Sequence, residues 1–352
     1  MSHNNYNSSP HEASPNHYAG QNHFYAFRIH NREGKIRPQL ETITLDDLTP
    51  GEVVIKVAYS GINYKDALAA TGAGKIARRF PLVGGIDVAG LVDSSSDPRF
   101  EVGDAVLVAG SRLSEDYDGG FAEYARVRAD SVVPLPEGLT LWEAMALGTA
   151  GFTAGIAIDA MQKNDQHPEH GPILVSGATG GVGSIAIDIL DSLGFSVTAL
   201  TGKRDAEGFL RQIGAADILP RGELDPGKQH LEKALWGGAI DNLGGETLSW
   251  LTRTTRPWGN IAAVGLAQGI GLSTSVMPFI LRGINLLGIN SVDIRKVHRE
   301  RIWRRMGSDL KPHHLQDIVT RTVSLNDLPD LFERYLRAEI TGRTVVVMGK
   351  KP

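Results

Sequence analysis

The feature that most constrains the fold of this chain is a glycine-rich turn that follows a short apolar run. The run is Ile173–Ser176, and the turn that follows reads Gly-Ala-Thr-Gly-Gly-Val-Gly over residues 177–183. Small residues between a strand and a helix let the backbone approach a pyrophosphate, whose charge the free N–H groups at the helix N-terminus stabilise. The spacing is GxxGxxG-like rather than GxGxxG, so a turn whose glycines serve packing alone remains the alternative.

Strand and helix patterns alternate on both sides of this turn, from the capping-box pattern Thr140-Leu141-Trp142-Glu143 onward. Predicted helices lie between most of the predicted strands, notably over residues 182–193 and 206–213. This order predicts a doubly wound parallel sheet. The predicted strands are residues 173–176, 196–200, 217–219, 239–241, 261–264 and 284–289.

The rest of the chain has a different pattern. Short alternating runs broken by Gly, Pro and Asp between residues 23 and 133 predict a compact β-rich domain. Two helical patterns, residues 295–306 and 326–337, precede an apolar strand at 344–348, which we expect to pack back on the first domain. The predicted fold class is α/β, with a β-rich domain at 21–139 and 292–352 and a doubly wound domain at 140–291.

Composition narrows the possible functions. A formal net charge of −4 excludes a generally basic nucleic-acid binder, and the absence of cysteine excludes disulfides, thiolate-bound zinc and a cysteine nucleophile. No apolar stretch approaches the ~20 residues that cross a bilayer. Residues 1–20 contain no Val, Ile or Leu and no signal-peptide pattern, so we expect a disordered tail on a cytoplasmic protein.

The end of the second strand of the doubly wound sheet indicates which dinucleotide is bound. An NAD site usually offers an acidic residue there, to bind the ribose hydroxyls. This chain has Thr201-Gly202-Lys203-Arg204 instead. A hydroxyl and two cations favour a 2′-phosphate, and hence NADPH. Because Asp205 follows, a solvated charge cluster at a helix start is the alternative.

Several further segments together resemble the zinc-free branch of the medium-chain dehydrogenase/reductase superfamily, the acrylyl-CoA reductase and quinone-oxidoreductase-like proteins. The resemblance extends from about residue 23 to the end of the chain. The segments that carry it are residues 60–68 (SGINYKDAL), 74–81 (GKIARRFP), 85–90 (GIDVAG), 97–100 (DPRF), 148–154 (GTAGFTA) and 276–282 (VMPFILR).

This resemblance implies a GroES-like catalytic domain interrupted by a Rossmann domain. It also implies hydride transfer without a metal, because Asn63 and the Ile86-Asp87 pair stand where zinc-bearing relatives have a cysteine and a His-Glu pair. The implied catalytic residue is Tyr64, beside the nicotinamide, with a packed tyrosine as the alternative. Lys65 would lower the pKa of Tyr64 if it were close. For Asn63 and Asp66 we favour a capping role at a helix start over direct catalysis.

The resemblance also implies the remaining binding residues. A cationic stretch is expected to bind the phosphates of coenzyme A, with a solvated surface as an equal alternative; it comprises Lys75, Arg78 and Arg79. Cofactor contacts are expected from Tyr64, Thr179, Gly180, Gly181, Val182, Thr201, Gly202, Lys203, Arg221, Leu266 and Ser291. The last three could instead be ordinary loop residues. No metal ligands are predicted, and His313-His314 receives no function.

The leading hypothesis is therefore an NADPH-dependent acrylyl-CoA reductase that forms propanoyl-CoA, an oxidoreductase acting on a CH–CH bond. An NADPH:quinone oxidoreductase and a non-catalytic NADPH-binding redox sensor are the alternatives. We expect an acyl-CoA substrate, no nucleic-acid or membrane partner, and a homodimer paired through residues 276–281 and the sixth strand.

Overall fold

The computed structural model describes residues 23–349, so the predicted tail at residues 1–20 lies outside the described part of the chain. The strands are β1 (Phe24–Arg32), β2 (Lys35–Ile43), β3 (Val53–Gly61), β4 (Leu82–Val83), β5 (Asp87–Ser95), β6 (Ala105–Ala109), β7 (Tyr124–Val127), β8 (Val133–Pro134), β9 (Ile173–Ser176), β10 (Val197–Thr201), β11 (Asp217–Pro220), β12 (Trp236–Asp241), β13 (Thr255–Ala263), β14 (Asn285–Gly288), β15 (Val319–Val323) and β16 (Arg343–Val347).

The helices alternate with the strands mainly in the second half of the chain. They are α1 (Tyr64–Thr71), α2 (Leu141–Lys163), α3 (Gly181–Ser192), α4 (Glu207–Gln212), α5 (Gly245–Thr254), α6 (Met277–Arg282), α7 (Lys296–Met306), α8 (Leu315–Ile318) and α9 (Leu328–Leu336). The predicted capping box opens α2: Thr140 Oγ1 accepts from Glu143 N, and Glu143 Oε2 accepts from Thr140 N.

Six strands form the parallel sheet in the order β11-β10-β9-β12-β13-β14. All six predicted strands of the doubly wound unit are members, which confirms the predicted fold class. The largest difference in bounds is β13, predicted from residue 261 but starting at Thr255. Its first residues include Arg256, Pro257 and Gly259, which interrupt the apolar pattern that the prediction relied on.

The second large sheet runs in the order β15-β16-β3-β5-β6-β8, with β7 also paired to β3. Strand β16 pairs antiparallel with β3, where Val346 faces Ser60 across nearly 300 residues of chain. The predicted return of the last strand to the first domain is thus confirmed. Strands β2, β1 and β4 form a third, smaller sheet.

Helix α2 is the centre of the core. By length and composition, its 23 residues could cross a membrane. The expectation that no apolar stretch approaches that length is therefore wrong. In the fold, however, 83% of its most apolar window is buried inside the protein. The helix is also broken at Gly148, which has φ 50° and ψ −155°. Asp87 and Arg343, two residues of the candidate site, contact the helix backbone at this break.

Candidate active site

The predicted dinucleotide turn leads from β9 directly into α3. Gly180 is the N-cap, and Ser184 N is the first amide that bonds back to it, so the N–H groups of the first turn are free to face a ligand. Gly183 must be glycine, because a β-carbon there would lie 2.5 Å from the carbonyl oxygen of Gly177. This cradle fits a pyrophosphate.

The predicted 2′-phosphate residues meet at the end of β10. Thr201 is buried, and its Oγ1 accepts from Lys203 N at 3.0 Å. A β-carbon on Gly202 would lie 3.2 Å from Arg221 Nη2, so the Arg221 guanidinium covers this glycine. The Lys203 ammonium donates to Ile340 O at 2.8 Å and to Thr341 Oγ1 at 3.0 Å, and burial lowers the pKa of Lys203.

The carboxyl edge of the parallel sheet also carries the last two predicted cofactor residues. Leu266 follows β13, with its Cα 3.2 Å from where a β-carbon on Gly244 would lie, and its side chain is exposed. Ser291 follows β14, and its carbonyl lies beside Gly110 of the β-rich part. Ligands of doubly wound folds bind at this edge. No contact described within residues 23–349 joins either residue directly to the dinucleotide turn.

Helix α1 begins with the capping box predicted for Asn63 and Asp66. Asp66 Oδ2 accepts from Asn63 N at 2.8 Å, and Asp66 Oδ1 accepts from Ile86 N at 3.0 Å. Asp66 is buried, and burial, reinforced by the nearby Asp87, raises its pKa to about 7. This geometry supports the capping role for both residues.

Tyr64 is the first residue of α1, and 47% of its surface is exposed. Its hydroxyl donates to no group within the described residues, so it is available to a ligand. The neighbouring Lys65 instead pairs with Glu115, its Nζ lying 2.6 Å from Glu115 Oε1. The ammonium of Lys65 is therefore committed to another partner.

A buried ion pair lies at the break in α2. Asp87 accepts from Thr149 N at 2.9 and 3.0 Å and from Thr149 Oγ1 at 2.6 Å. Arg343 Nη2 lies 3.8 Å from Asp87 Oδ2. Gly148 is required here, because a β-carbon would lie 2.4 Å from Asp87 Oδ2. Burial raises the pKa of Asp87.

Arg343 connects this ion pair to the start of α1 and to the dinucleotide turn at the start of α3. Its Nη1 donates to Asn63 Oδ1 at 3.1 Å, directly before Tyr64. On its other side, a β-carbon on Gly181 would lie 2.9 Å from Arg343 Cδ. One side chain thus contacts the start of α1 and the start of α3. Sequence analysis missed Arg343, although an arginine that opens the apolar strand β16 was the available signal.

The residues at this position do not fit a catalytic zinc ion. Zinc sites use thiolate, imidazole or carboxylate ligands in an open tetrahedral arrangement. Here Asn63 Nδ2 donates to Asp87 Oδ2 at 2.7 Å, and the Arg343 cation faces the same oxygen. The carboxylate is fully used by hydrogen bonds and a guanidinium. This position therefore has no free ligand for zinc.

The cationic stretch that was predicted to bind coenzyme A is exposed. Arg78 pairs with Asp116 at 3.6 Å, whereas Lys75 and Arg79 have no ion-pair partner within residues 23–349. The two histidines left without a function lie beside the buried Asp188, which accepts from both of their backbone amides.

Two family models match the chain: the alcohol dehydrogenase GroES-like domain at residues 49–137 and zinc-binding dehydrogenase at residues 181–306. Acrylyl-CoA reductase AcuI of Ruegeria pomeroyi is 44% identical over 314 residues, covering 89% of this chain and 95% of that protein. YhfP of Bacillus subtilis, named for a quinone oxidoreductase activity, is 45% identical over 324 residues, covering 92% and 98%.

Two of the solved structures that resemble this chain have a nicotinamide dinucleotide bound. The yhdH oxidoreductase from Salmonella enterica, in complex with NADP, is 40% identical with a TM-score of 0.89, covering 92% of this chain and 100% of that one. Bacillus subtilis yhfP with NAD bound is 44% identical with a TM-score of 0.90, covering 93% and 99%.

Proposed function

This chain belongs to the medium-chain dehydrogenase/reductase superfamily, and we propose that it reduces the 2,3 double bond of acrylyl-CoA to propanoyl-CoA with NADPH and without a metal. The observation that carries the proposal is the placement of Arg343 between Asn63 and Gly181. This contact supports a single site that combines the half-exposed Tyr64, which follows Asn63, with the dinucleotide cradle. The similarity to acrylyl-CoA reductase AcuI supports the substrate class.

The reaction needs a hydride at one carbon and a proton at the next. When bound, NADPH supplies the hydride to the β-carbon of the enoyl thioester. The electron pair of the double bond then moves toward the thioester oxygen, and the α-carbon takes a proton. Tyr64 is the proposed proton donor, since its phenolic hydroxyl can donate a proton.

The chain's own residues hold and orient the reactants. The N–H groups at the start of α3 would bind the pyrophosphate, and Thr179, Gly180, Gly181 and Val182 would form the turn around it. Thr201, Gly202, Lys203 and Arg221 would bind the 2′-phosphate end, with Leu266 and Ser291 toward the nicotinamide. Lys75 and Arg79, with Arg78 beside them, would bind phosphates of coenzyme A.

We also propose that the chain divides into two domains at residues 139/140 and 291/292, as predicted. We further propose that the protein is cytoplasmic and forms a homodimer. The dimer is supported by the edge strand β14, paired only with β13 within the described residues, and by the exposed apolar side chains beside it. Among these, Val276 is 67%, Ile280 72% and Leu281 61% exposed.

A quinone oxidoreductase is the second candidate, favoured by the similarity to YhfP. Steady-state NADPH oxidation should be compared with acrylyl-CoA, a longer enoyl-CoA and a small quinone as acceptors. We expect acrylyl-CoA to give the highest kcat/KM. A preference for the quinone would assign the second function, and no turnover with any acceptor would instead indicate a cofactor-binding protein without catalysis.

A further inference from the structure

The segment 340–343 returns from the β-rich part of the chain and lies across the predicted cofactor site. Gly342 N donates to the carbonyl of Thr179 in the dinucleotide turn at 2.8 Å. Arg343 packs on Gly181, where α3 begins. Ile340 and Thr341 bind the Lys203 ammonium at the end of β10. A segment distant in sequence therefore contacts both the dinucleotide turn and the lysine that follows β10.

The hydrogen bonds of the Lys203 ammonium leave one of its donors uncommitted. An ammonium group has three N–H donors, and two of them are used by Ile340 O and Thr341 Oγ1. The third is available to a phosphate oxygen. Because these two acceptors hold a flexible four-carbon side chain in one place, a ligand would not bear the entropy cost of ordering it.

We propose that Thr341 is a positioning residue for the cofactor's 2′-phosphate: its hydroxyl, with the Ile340 carbonyl, orients the Lys203 ammonium and so sets the preference for NADPH over NADH. This inference rests on the proposed NADPH-dependent function. Thr341 does not contact the phosphate itself; it acts through Lys203. Its own carbonyl accepts from Thr320 Oγ1 at 2.6 Å, a hydrogen bond that does not involve Lys203.

The test measures the dissociation constants of NADPH and NADH by nicotinamide fluorescence in the full chain. Lys203→Ala should weaken the binding of NADPH and leave the binding of NADH unchanged. Its effect on NADPH is the largest that a Thr341 variant could have through this lysine. Thr341→Val, nearly isosteric, should weaken NADPH about fivefold, the effect of one lost hydrogen bond, with NADH within about twofold. Thr341→Ser keeps the hydroxyl and should retain the wild-type ratio of the two constants.

Thr320→Val is the matched control, because it removes a hydrogen bond from the same segment without touching Lys203. It should leave the NADPH-to-NADH ratio unchanged. The inference is overturned if Lys203→Ala raises that ratio of dissociation constants while Thr341→Val does not, or if Thr341→Val weakens the binding of both cofactors equally. A wild-type protein that binds NADH as tightly as NADPH would instead overturn the proposed cofactor.

Discussion

The Arg343 guanidinium and the Asp87 carboxylate face each other at the break in α2, 3.8 Å apart and both buried. Each forms hydrogen bonds with the free backbone groups on one side of the break. Arg343 donates to the carbonyls of Met145 and Ala146, which end the first half of the helix. Asp87 accepts from Thr149 N, which begins the second half. Polar backbone groups that the break would leave unpaired in the core are thereby hydrogen-bonded.

Replacing Arg343 with Met should therefore destabilise the protein strongly. It leaves the Asp87 carboxylate and two carbonyls buried without their partner, a change that typically costs about 3–5 kcal/mol. Urea unfolding would measure the free energy of unfolding. Arg337→Met, an exposed arginine on the same stretch of chain, is the control and should change it by less than about 0.5 kcal/mol. A loss below about 1 kcal/mol for Arg343→Met would contradict the assigned role.

Asp66 should make stability fall as pH rises. Its folded pKa of about 7 lies above the unfolded value of ~3.9, so between these values the folded state holds a proton that the unfolded state has released. The contribution favours folding at low pH and is lost as pH rises through the folded pKa. Asp66→Asn should remove this slope, which reaches at most about 1.4 kcal/mol per pH unit.

The matched control is Asp47→Asn, from the exposed capping box formed with Thr44. Hydrogen bonding from the Thr44 amide lowers the pKa of Asp47, so its contribution is lost only when pH falls below about 4. From pH 5 to 8, the free energy of unfolding of Asp47→Asn, measured in urea, should change with pH in parallel with that of the wild type. The free energy of unfolding of Asp66→Asn should instead converge toward the wild-type curve or cross it. Parallel curves for both variants would refute the Asp66 assignment.

Tyr64→Phe tests the proton donor. Loss of general acid catalysis should lower kcat with acrylyl-CoA about 100-fold, while the melting temperature stays nearly unchanged, because no described group bonds the hydroxyl. Tyr25→Phe, equally exposed at 48% against 47%, should leave kcat unaltered. Full activity in Tyr64→Phe would assign the proton to water.

The double variant Lys75→Ala/Arg79→Ala tests the coenzyme A anchor. Removing two cations that have no ion-pair partner among the described residues should raise KM for acrylyl-CoA about tenfold with little change in kcat. The effect should shrink at high salt, which screens exposed charges. Lys228→Ala/Lys233→Ala removes the same charge from an exposed loop between β11 and β12. Equal KM values for the two double variants would mean that the cationic stretch is only a solvated surface.

Local patterns were sufficient for most of the elements. Strand β9 has the predicted bounds, α3 begins one residue before its prediction, and Thr140 caps α2 as its spacing with Glu143 indicated. These features depend on residues within one or two turns of one another, where periodicity and capping chemistry act directly. The confirmed family resemblance adds the order of the two folding units.

Sequence by itself thus determined the parallel sheet, the dinucleotide turn and the capping role of Asn63 and Asp66. Only the tertiary structure decided that Arg343 joins Asn63 to Gly181 and that Thr341 holds Lys203. The physical reason is that these contacting residues are 138 to 280 chain positions apart. No local periodicity encodes a contact that forms when a distant strand returns to the sheet.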